Sequence, residues 1–408
     1  MEQVLYKLPD EWDWKTLGDI CLKVTDGSHN PPNEVEVGLP MLSSRNVMDN
    51  GLVWNNFRLI PENAFESEHK RTRISEGDVL LTIVGTIGRS CVVRNLDKLF
   101  TLQRSVAVLS TEELIPEFLS YQLKAPFIQE HFISNAKGSA QKGIYLKQLK
   151  ATNLVCPPIE EQKHIVEKID SLLTRIDTAI EHLQESVTLA DALYASSLEQ
   201  VFEKVYLDYP TQPLSALASK IGSGATPKGG QKAYKESGIS LIRSLNVYDS
   251  EFKPEGLAFI DDDQAEKLSN VVVEAGDVLL NITGASIARC CVAPDEYLPA
   301  RVNQHVCIIR PKDALNSIYL NYLLISPKFK AALLFQGAGG ATRQALTKVM
   351  VSNLEIPLPP PEMQAELVGK VNLLSKKNRA LKEQVNSKIS DLITLKASIL
   401  DSAFKGEL

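Results

Sequence analysis

None of the six cysteines in this 408-residue chain stands in a Cys-x-x-Cys pair. That absence excludes the usual thiolate metal sites and dithiol redox motifs. Most of the six lie in apolar runs such as Ser90-Cys91-Val92-Val93, the mark of buried, reduced thiols in a cytoplasmic protein. No run approaches the ~18 to 20 apolar residues of a membrane span, and Met1-Glu2-Gln3 does not open a signal peptide, so a cytoplasmic chain with no membrane partner is expected. Catalytic signatures are missing too: there is no Gly-x-x-x-x-Gly-Lys-Ser/Thr phosphate loop, no His-Glu-x-x-His and no Gly-x-Ser-x-Gly elbow. A non-catalytic chain that binds no metal or cofactor of its own is the expectation.

Two near-matches fail on single residues. Gly222-Ser223-Gly224-Ala225-Thr226-Pro227 has the spacing of a phosphate-cradling turn, but Pro227 removes an N–H where a helix N-terminus would have to donate. Asn30-Pro31-Pro32-Asn33 resembles the Asn-Pro-Pro-aromatic motif of amino-methyltransferases, with Asn33 in place of the ring that stacks on a flipped base. No glycine-rich methyl-donor motif accompanies it, which leaves a rigid turn in a surface loop.

What is present is a duplication. Gly38 to Val47 (GLPMLSSRNV) returns as Gly238 to Val247 (GISLIRSLNV), an offset of 200 residues. Gly77-Asp78-Val79-Leu80-Leu81 returns as Gly276-Asp277-Val278-Leu279-Leu280, and Lys23 to Gly27 lines up with Lys220 to Gly224. An offset of half the chain means one unit repeated, and small drifts in it are loop insertions. The net charge of −6 conceals its partition: residues 13–158 carry 16 basic and 16 acidic side chains, and 211–358 carry 15 and 14. The segment 159–210 holds 11 acidic against 4 basic, and 359–408 holds 8 basic against 6 acidic. The two large blocks are therefore free to present basic faces locally.

Each block is followed by a helical signal. After Pro157-Pro158-Ile159-Glu160-Glu161-Gln162, apolar residues recur in steps of three and four from Ile165 through Ile169, Leu172, Ile176 and Leu183 to Val201. After Pro359-Pro360-Pro361-Glu362-Met363-Gln364 they recur from Leu367 through Val371, Leu374 and Val385 to Ile399. Such patterns predict amphipathic helices, the first from Gln162 to Phe202 and roughly 60 Å long at 1.5 Å per residue. A lone helix of that length cannot bury its stripe, so the two are expected to pair, acidic with basic, as an antiparallel coiled coil. Within the blocks, strands are expected at Asp78 to Val84, Val106 to Leu109, Asp277 to Thr283 and Val306 to Arg310, with one helix each at Pro116 to Leu123 and Ser317 to Ile325. The fold class is α+β: two pseudo-symmetric globular domains separated by an antiparallel two-helix coiled coil.

Polar and basic residues recur on glycine-rich loops at equivalent places. Ser28, His29 and Asn30 stand beside Thr226 and Lys228; Arg45 and Asn46 beside Arg243 and Asn246; Arg89 answers Arg289. Gln103-Arg104 answers Asn303-Gln304-His305, and two further loops hold Lys137, Gln141 and Lys142 in one copy and Thr342, Arg343 and Gln344 in the other. Arg, Asn and Gln make bidentate contacts with base edges, while Lys and Ser hold phosphates. The frame repeats and the loop identities do not, as expected of two readers of two different short DNA sequences. A scaffold whose end domains bind proteins is the rival reading, and large apolar loop patches would mark it.

On the doubled layout, the Gly-Asp-Val-Leu-Leu strands, the Asn303-Gln304-His305 string and the Pro-Pro-Ile-Glu-Glu-Gln and Pro-Pro-Pro-Glu-Met-Gln helix entries, the whole chain resembles the specificity subunit of type I restriction-modification systems. The resemblance implies target-recognition domains at 1–158 and 206–358, a central long helix at 159–205 and a C-terminal one at 359–408. It implies that each domain reads one half of a bipartite, asymmetric site in double-stranded DNA, and that the coiled coil spaces the domains and docks two methyltransferase subunits. S-adenosylmethionine then belongs to those partners, and ATP and Mg to restriction/translocase subunits, with none bound by this chain.

Overall fold

A computed structural model of the chain describes Gln3 and residues 5–138, 141–338 and 345–408. Thr342, Arg343 and Gln344 lie outside the described residues. The chain divides into two compact units, residues 1–183 with 386–408, and residues 184–385.

Each unit is built on the same antiparallel four-stranded sheet. In the first the order is Cys21–Asp26, Val106–Thr111, Val79–Thr82, Ser90–Val92; in the second it is Ala218–Ser223, Val306–Pro311, Val278–Asn281, Cys290–Val292. The Gly-Asp-Val-Leu-Leu repeat owes its form to this sheet. Gly77 and Gly276 sit at φ +83° and +79°, a left-handed turn that glycine enters without strain. The following Asp78 and Asp277, both buried, accept the N–H of Ser75 (2.8 Å) and Glu274 (2.7 Å) and bind a cation from another strand of the same sheet. That cation is Lys23 in the first unit and Arg310 in the second. The strands themselves are buried on both faces, with Val79 and Leu81 in one core cluster and Leu80 in another, which explains an unbroken apolar run where alternation would mark a half-exposed strand.

A smaller sheet packs against the first. Leu39–Leu42 runs parallel to Thr101–Leu102 and antiparallel to Arg58–Ile60, and in the second unit Ile239–Ile242 runs parallel to Ala300–Val302 and antiparallel to Ala258–Ile260. Each block is closed by pairing its first strand with its last, Asp13–Thr16 with Asn153–Cys156 and Thr211–Pro213 with Glu355–Pro357. The expected helices are present as Pro116–Lys124 and Ser317–Ile325, each followed by a second, Pro126–Asn135 and Pro327–Gly337. The six cysteines are free, and burial pushes the Cys91 and Cys156 thiols up to about 11. Among the described residues no helix is long and apolar enough to cross a membrane.

The long helices run Ile159–Asp208 and Pro361–Lys405, 50 and 45 residues. The first is longer at both ends than the span 162–202 read from its periodicity, because a helix can begin directly after Pro158 and because Val205, beyond the regular seam, is buried in the second unit's core. In the first unit, Leu400, Ala403 and Phe404 share a buried cluster with Ile165, Ile169 and Leu173 and with Phe118 of the block. In the second, Leu198, Phe202 and Val205 share one with Leu367, Val371 and Tyr319. Within each unit, then, the start of one helix lies beside the end of the other, which is antiparallel pairing. Ion pairs agree: Asp177 meets Lys396 (2.6 Å) in the first unit and Asp191 meets Lys382 (2.8 Å) in the second. From Asp177 to Asp191 and from Lys396 back to Lys382 are both steps of 14, two heptads.

The helix-entry motifs are clamps. Gln162, buried, accepts the N–H of Ile115 (2.8 Å) and donates to the carbonyls of Glu113 and Pro157; Gln364 does the same with Asn316, Ala314 and Pro359. About two turns later, Tyr121 donates to Asp170 and Tyr322 to Asn372. The duplicated glutamine therefore locks the first turn of each long helix to the block that precedes it.

Candidate nucleic-acid interface

At one edge of the first unit, loops from five parts of the chain are knitted together by backbone hydrogen bonds. Ser28 donates to Leu102 (2.8 Å), Arg104 to Ser28 (2.9 Å), Gln103 to Leu42 (2.8 Å), Ile83 to Ser105 (2.9 Å) and Gly85 to Lys142 (3.1 Å). The second unit repeats the pattern: Gly224 donates to Asn303 (3.1 Å), Asn303 to Ile242 (3.1 Å), Ile282 to His305 (2.9 Å) and Leu346 to Ile282 (2.8 Å). Glycine is required at Gly27 and Gly224, because a Cβ there would collide with the carbonyls of Leu102 and Val302. The loops can thus differ in side chains while their backbones hold the same positions.

Several expected readers are present and exposed on this surface: His29, Asn30, Arg45, Arg104, Lys137, Gln141 and Lys142 in the first unit, Lys228 and Gln304 in the second. His29 is held by Asp26 (2.8 Å), which also accepts from Arg71 (2.6 Å), so a guanidinium joins that loop. Thr226 donates to Gln304, which ties the two loops of the second unit to each other.

Others are withdrawn from the surface, and the sequence expectation is corrected for them. Asn46 and Asn246 are fully buried. The Asn46 amide oxygen accepts the Ser43 N–H (3.0 Å) and its nitrogen donates to Val53 and Asn55, while Asn246 does likewise with Arg243, Lys253 and Glu255. They brace a turn, and no hydrogen-bonding capacity is left for a base. Ser28 and Asn303 are buried; the Asn303 side chain accepts the His305 N–H (3.0 Å) and shapes its own loop. Arg243 donates to the Gly256 carbonyl and lies over the Tyr234 ring, so it too holds structure.

Arg89 and Arg289 occupy equivalent positions and have different neighbours. Arg89 reaches the Met48 sulfur (3.3 Å), whereas the Arg289 guanidinium lies 4.5 Å from the centre of the Tyr248 ring. Lys253 approaches the same ring at 4.3 Å. Tyr248, Arg289, Ser244, Thr283, Ser286 and His305 line a cleft of about 570 Å³ in the second unit. Tyr248 escaped the sequence reading, which stopped the repeat at Val247; extending it by one residue pairs Tyr248 with Met48 and marks the position. A cavity of about 530 Å³ in the first unit, bordered by Asp49, Trp54, Glu117 and Lys124, differs in kind. Its Arg94 and Lys124 are paired with Glu117 and Asp49.

The family model for the type I restriction modification DNA specificity domain matches residues 9–189 and 218–391. The chain is 22% identical over 437 residues to the type I restriction enzyme EcoKI specificity subunit of Escherichia coli strain K12, covering 98% of this chain and 90% of that protein. It is 23% identical over 413 residues to the MjaVIII specificity subunit of Methanocaldococcus jannaschii, covering 95% and 92%. Among solved structures, a chain from work on complex assembly and conformational transition of the type I R-M system has the same fold, with a TM-score of 0.74 at 22% identity over 99% of this chain and 100% of that one. The HsdS subunit of Thermoanaerobacter tengcongensis matches with a TM-score of 0.53 at 22% identity over the whole of both chains. Two matched spans, each holding one copy of the sheet frame and its knitted loops, place the chain in the type I restriction-modification DNA specificity family, as a specificity subunit with two recognition domains.

Proposed function

We propose that the loop cluster of each unit reads one half of a bipartite, asymmetric target in double-stranded DNA, and that the paired helices set the spacer between the halves and dock two methyltransferase subunits. Methyl transfer from S-adenosylmethionine then lies with those subunits, and ATP- and Mg-dependent translocation and cleavage with restriction/translocase subunits, this chain supplying target choice alone. The observation that carries the reading is the combination of matching backbone scaffolds with different side chains: exposed His29, Arg45 and Arg104 on one set of loops, exposed Lys228 and Gln304 with half-buried Arg289 on the other. Unequal side chains on equal frames suit two unequal half-sites. Lys137, Lys142 and Lys228 supply the sequence-independent phosphate contacts, and Arg343 and Gln344 are assigned to base contact in the second half-site on their residue types.

The test is an insertion of four residues into the first long helix near Leu183. Site selection from a random duplex library with the assembled methyltransferase is expected to return both half-sites intact with an altered spacer. Recovery of the wild-type spacer would refute the helix pair as the spacing element.

A further inference from the structure

The arginines of the second recognition domain are not equally available. Arg243 donates to Gly256, Arg301 to the carbonyls of Ala265 and Ala300, and Arg310 to Asp277 and Val272. Arg289 is the exception among the described residues of 211–358: its guanidinium donates no hydrogen bond to a described residue, and it lies over the Tyr248 ring. Stacking of that kind fixes the plane of a guanidinium while leaving its edge, a fork of N–H donors, unoccupied.

Its surroundings select the kind of edge it can meet. Lys253 on the same ring is paired with Glu251 (3.9 Å) and lies outside the cleft lining, so the Arg289 guanidinium sets the preference there, for acceptor atoms over the amino donors of cytosine and adenine. His305 and Thr283, also in the lining, are hydrogen-bonded to each other and not to the arginine. The one base that presents two acceptors side by side in the major groove is guanine, through O6 and N7, and a planar fork matches them bidentately. A phosphate would satisfy the charge but gives no role to a ring that restrains the guanidinium plane.

Building on the DNA-recognition reading above, we propose that Arg289 reads a guanine at one position of the half-site bound by the second unit, with Tyr248 as the positioning residue that presents it. The first unit lacks the device, because its arginine rests against the thioether of Met48, a flexible, weakly accepting group that offers no flat platform.

The experiment is selection from a duplex library randomised across both half-sites, using the full chain assembled with its methyltransferase subunits. The variants are Arg289→Ala, Arg289→Lys, Tyr248→Phe and Tyr248→Leu, each checked by thermal melting. Arg289→Ala is expected to lower the preference for guanine at a single base pair of one half-site by about 5- to 150-fold. Arg289→Lys should recover part of it, Tyr248→Phe should keep it, and Tyr248→Leu should lose most of it with the fold intact. The inference is overturned if Arg289→Ala leaves every position unchanged, relaxes a base other than guanine, or weakens all sequences alike with a shallower salt dependence. It is equally overturned if Tyr248→Phe fails as badly as Tyr248→Leu. A wild-type assembly that shows no sequence preference at all would instead remove the reading on which the inference rests.

Discussion

The two units differ on the reading surface, where methionine stands against tyrosine, and in the frame, where the buried aspartate takes its cation from different strands, and the two kinds of difference teach different things. Met48 against Tyr248 lies on the reading loops, where a change alters what Arg89 and Arg289 present to the outside and leaves the backbone scaffold as it was. In the frame, Lys23 on the edge strand of one sheet and Arg310 on an inner strand of the other each bind the buried aspartate of the Gly-Asp-Val-Leu-Leu turn. The frame keeps the ion pair although its cation comes from a different strand in each unit. The loops tolerate a change of chemistry.

The largest expected effect is in the frame. Asp277 is fully buried and takes two hydrogen bonds from Arg310, at 2.7 and 2.9 Å, whereas Asp78 takes one from Lys23, at 2.6 Å. Asp277→Ala should destabilise the second unit by about 3–5 kcal/mol and Asp78→Ala should destabilise the first by less, as read by hydrogen exchange in each unit. Equal losses would erase the distinction between the two turns. A middle-sized effect belongs to the loops: Met48→Tyr should give Arg89 a platform and raise the selectivity of the first half-site at one base pair by about fivefold, the lower bound for a base contact. An unchanged selection profile would mean that the ring does not confer reading.

The smallest effect concerns the helix pair. Lys382→Ala should cost less than about 1 kcal/mol, since the Asp191–Lys382 pair is solvent-exposed and screened. The hydrogen bond from Lys382 holds the Asp191 carboxyl below its ordinary range. Its contribution is therefore present above the unfolded carboxyl's titration near pH 4 and is lost as pH falls through the lower folded value. Chemical denaturation at pH 7 and pH 3 should show the wild type and Lys382→Ala converging at the lower pH. A gap that widens on acidification would reverse the assignment.

Much of this architecture was legible in the residues. The repeat gave the doubled unit, the three- and four-residue spacing gave both long helices, and Val106 to Leu109 and Ser317 to Ile325 fall within a strand and a helix. The second helices, Pro126–Asn135 and Pro327–Gly337, were not seen. A proline reads first as a terminator, and here it opens a new helix one residue after the last has closed. At the interface the difficulty was of another kind. Asn46 and Arg104 look equally suited to a base edge as residue types, and only the hydrogen bonds around Asn46 reveal that its amide is already engaged. Sequence lists the groups able to read DNA; the turns they fold into decide which remain at liberty.

Residues 184–385 form the second unit as one uninterrupted stretch, whereas the first unit requires residues 386–408 as well. Its core includes Phe404, and the Tyr6 hydroxyl donates to the Phe404 carbonyl across 398 positions of sequence. During synthesis, therefore, the part translated first waits longest for its last piece. The later unit can mature while the earlier one is still incomplete, the reverse of the usual order in which domains leave the ribosome.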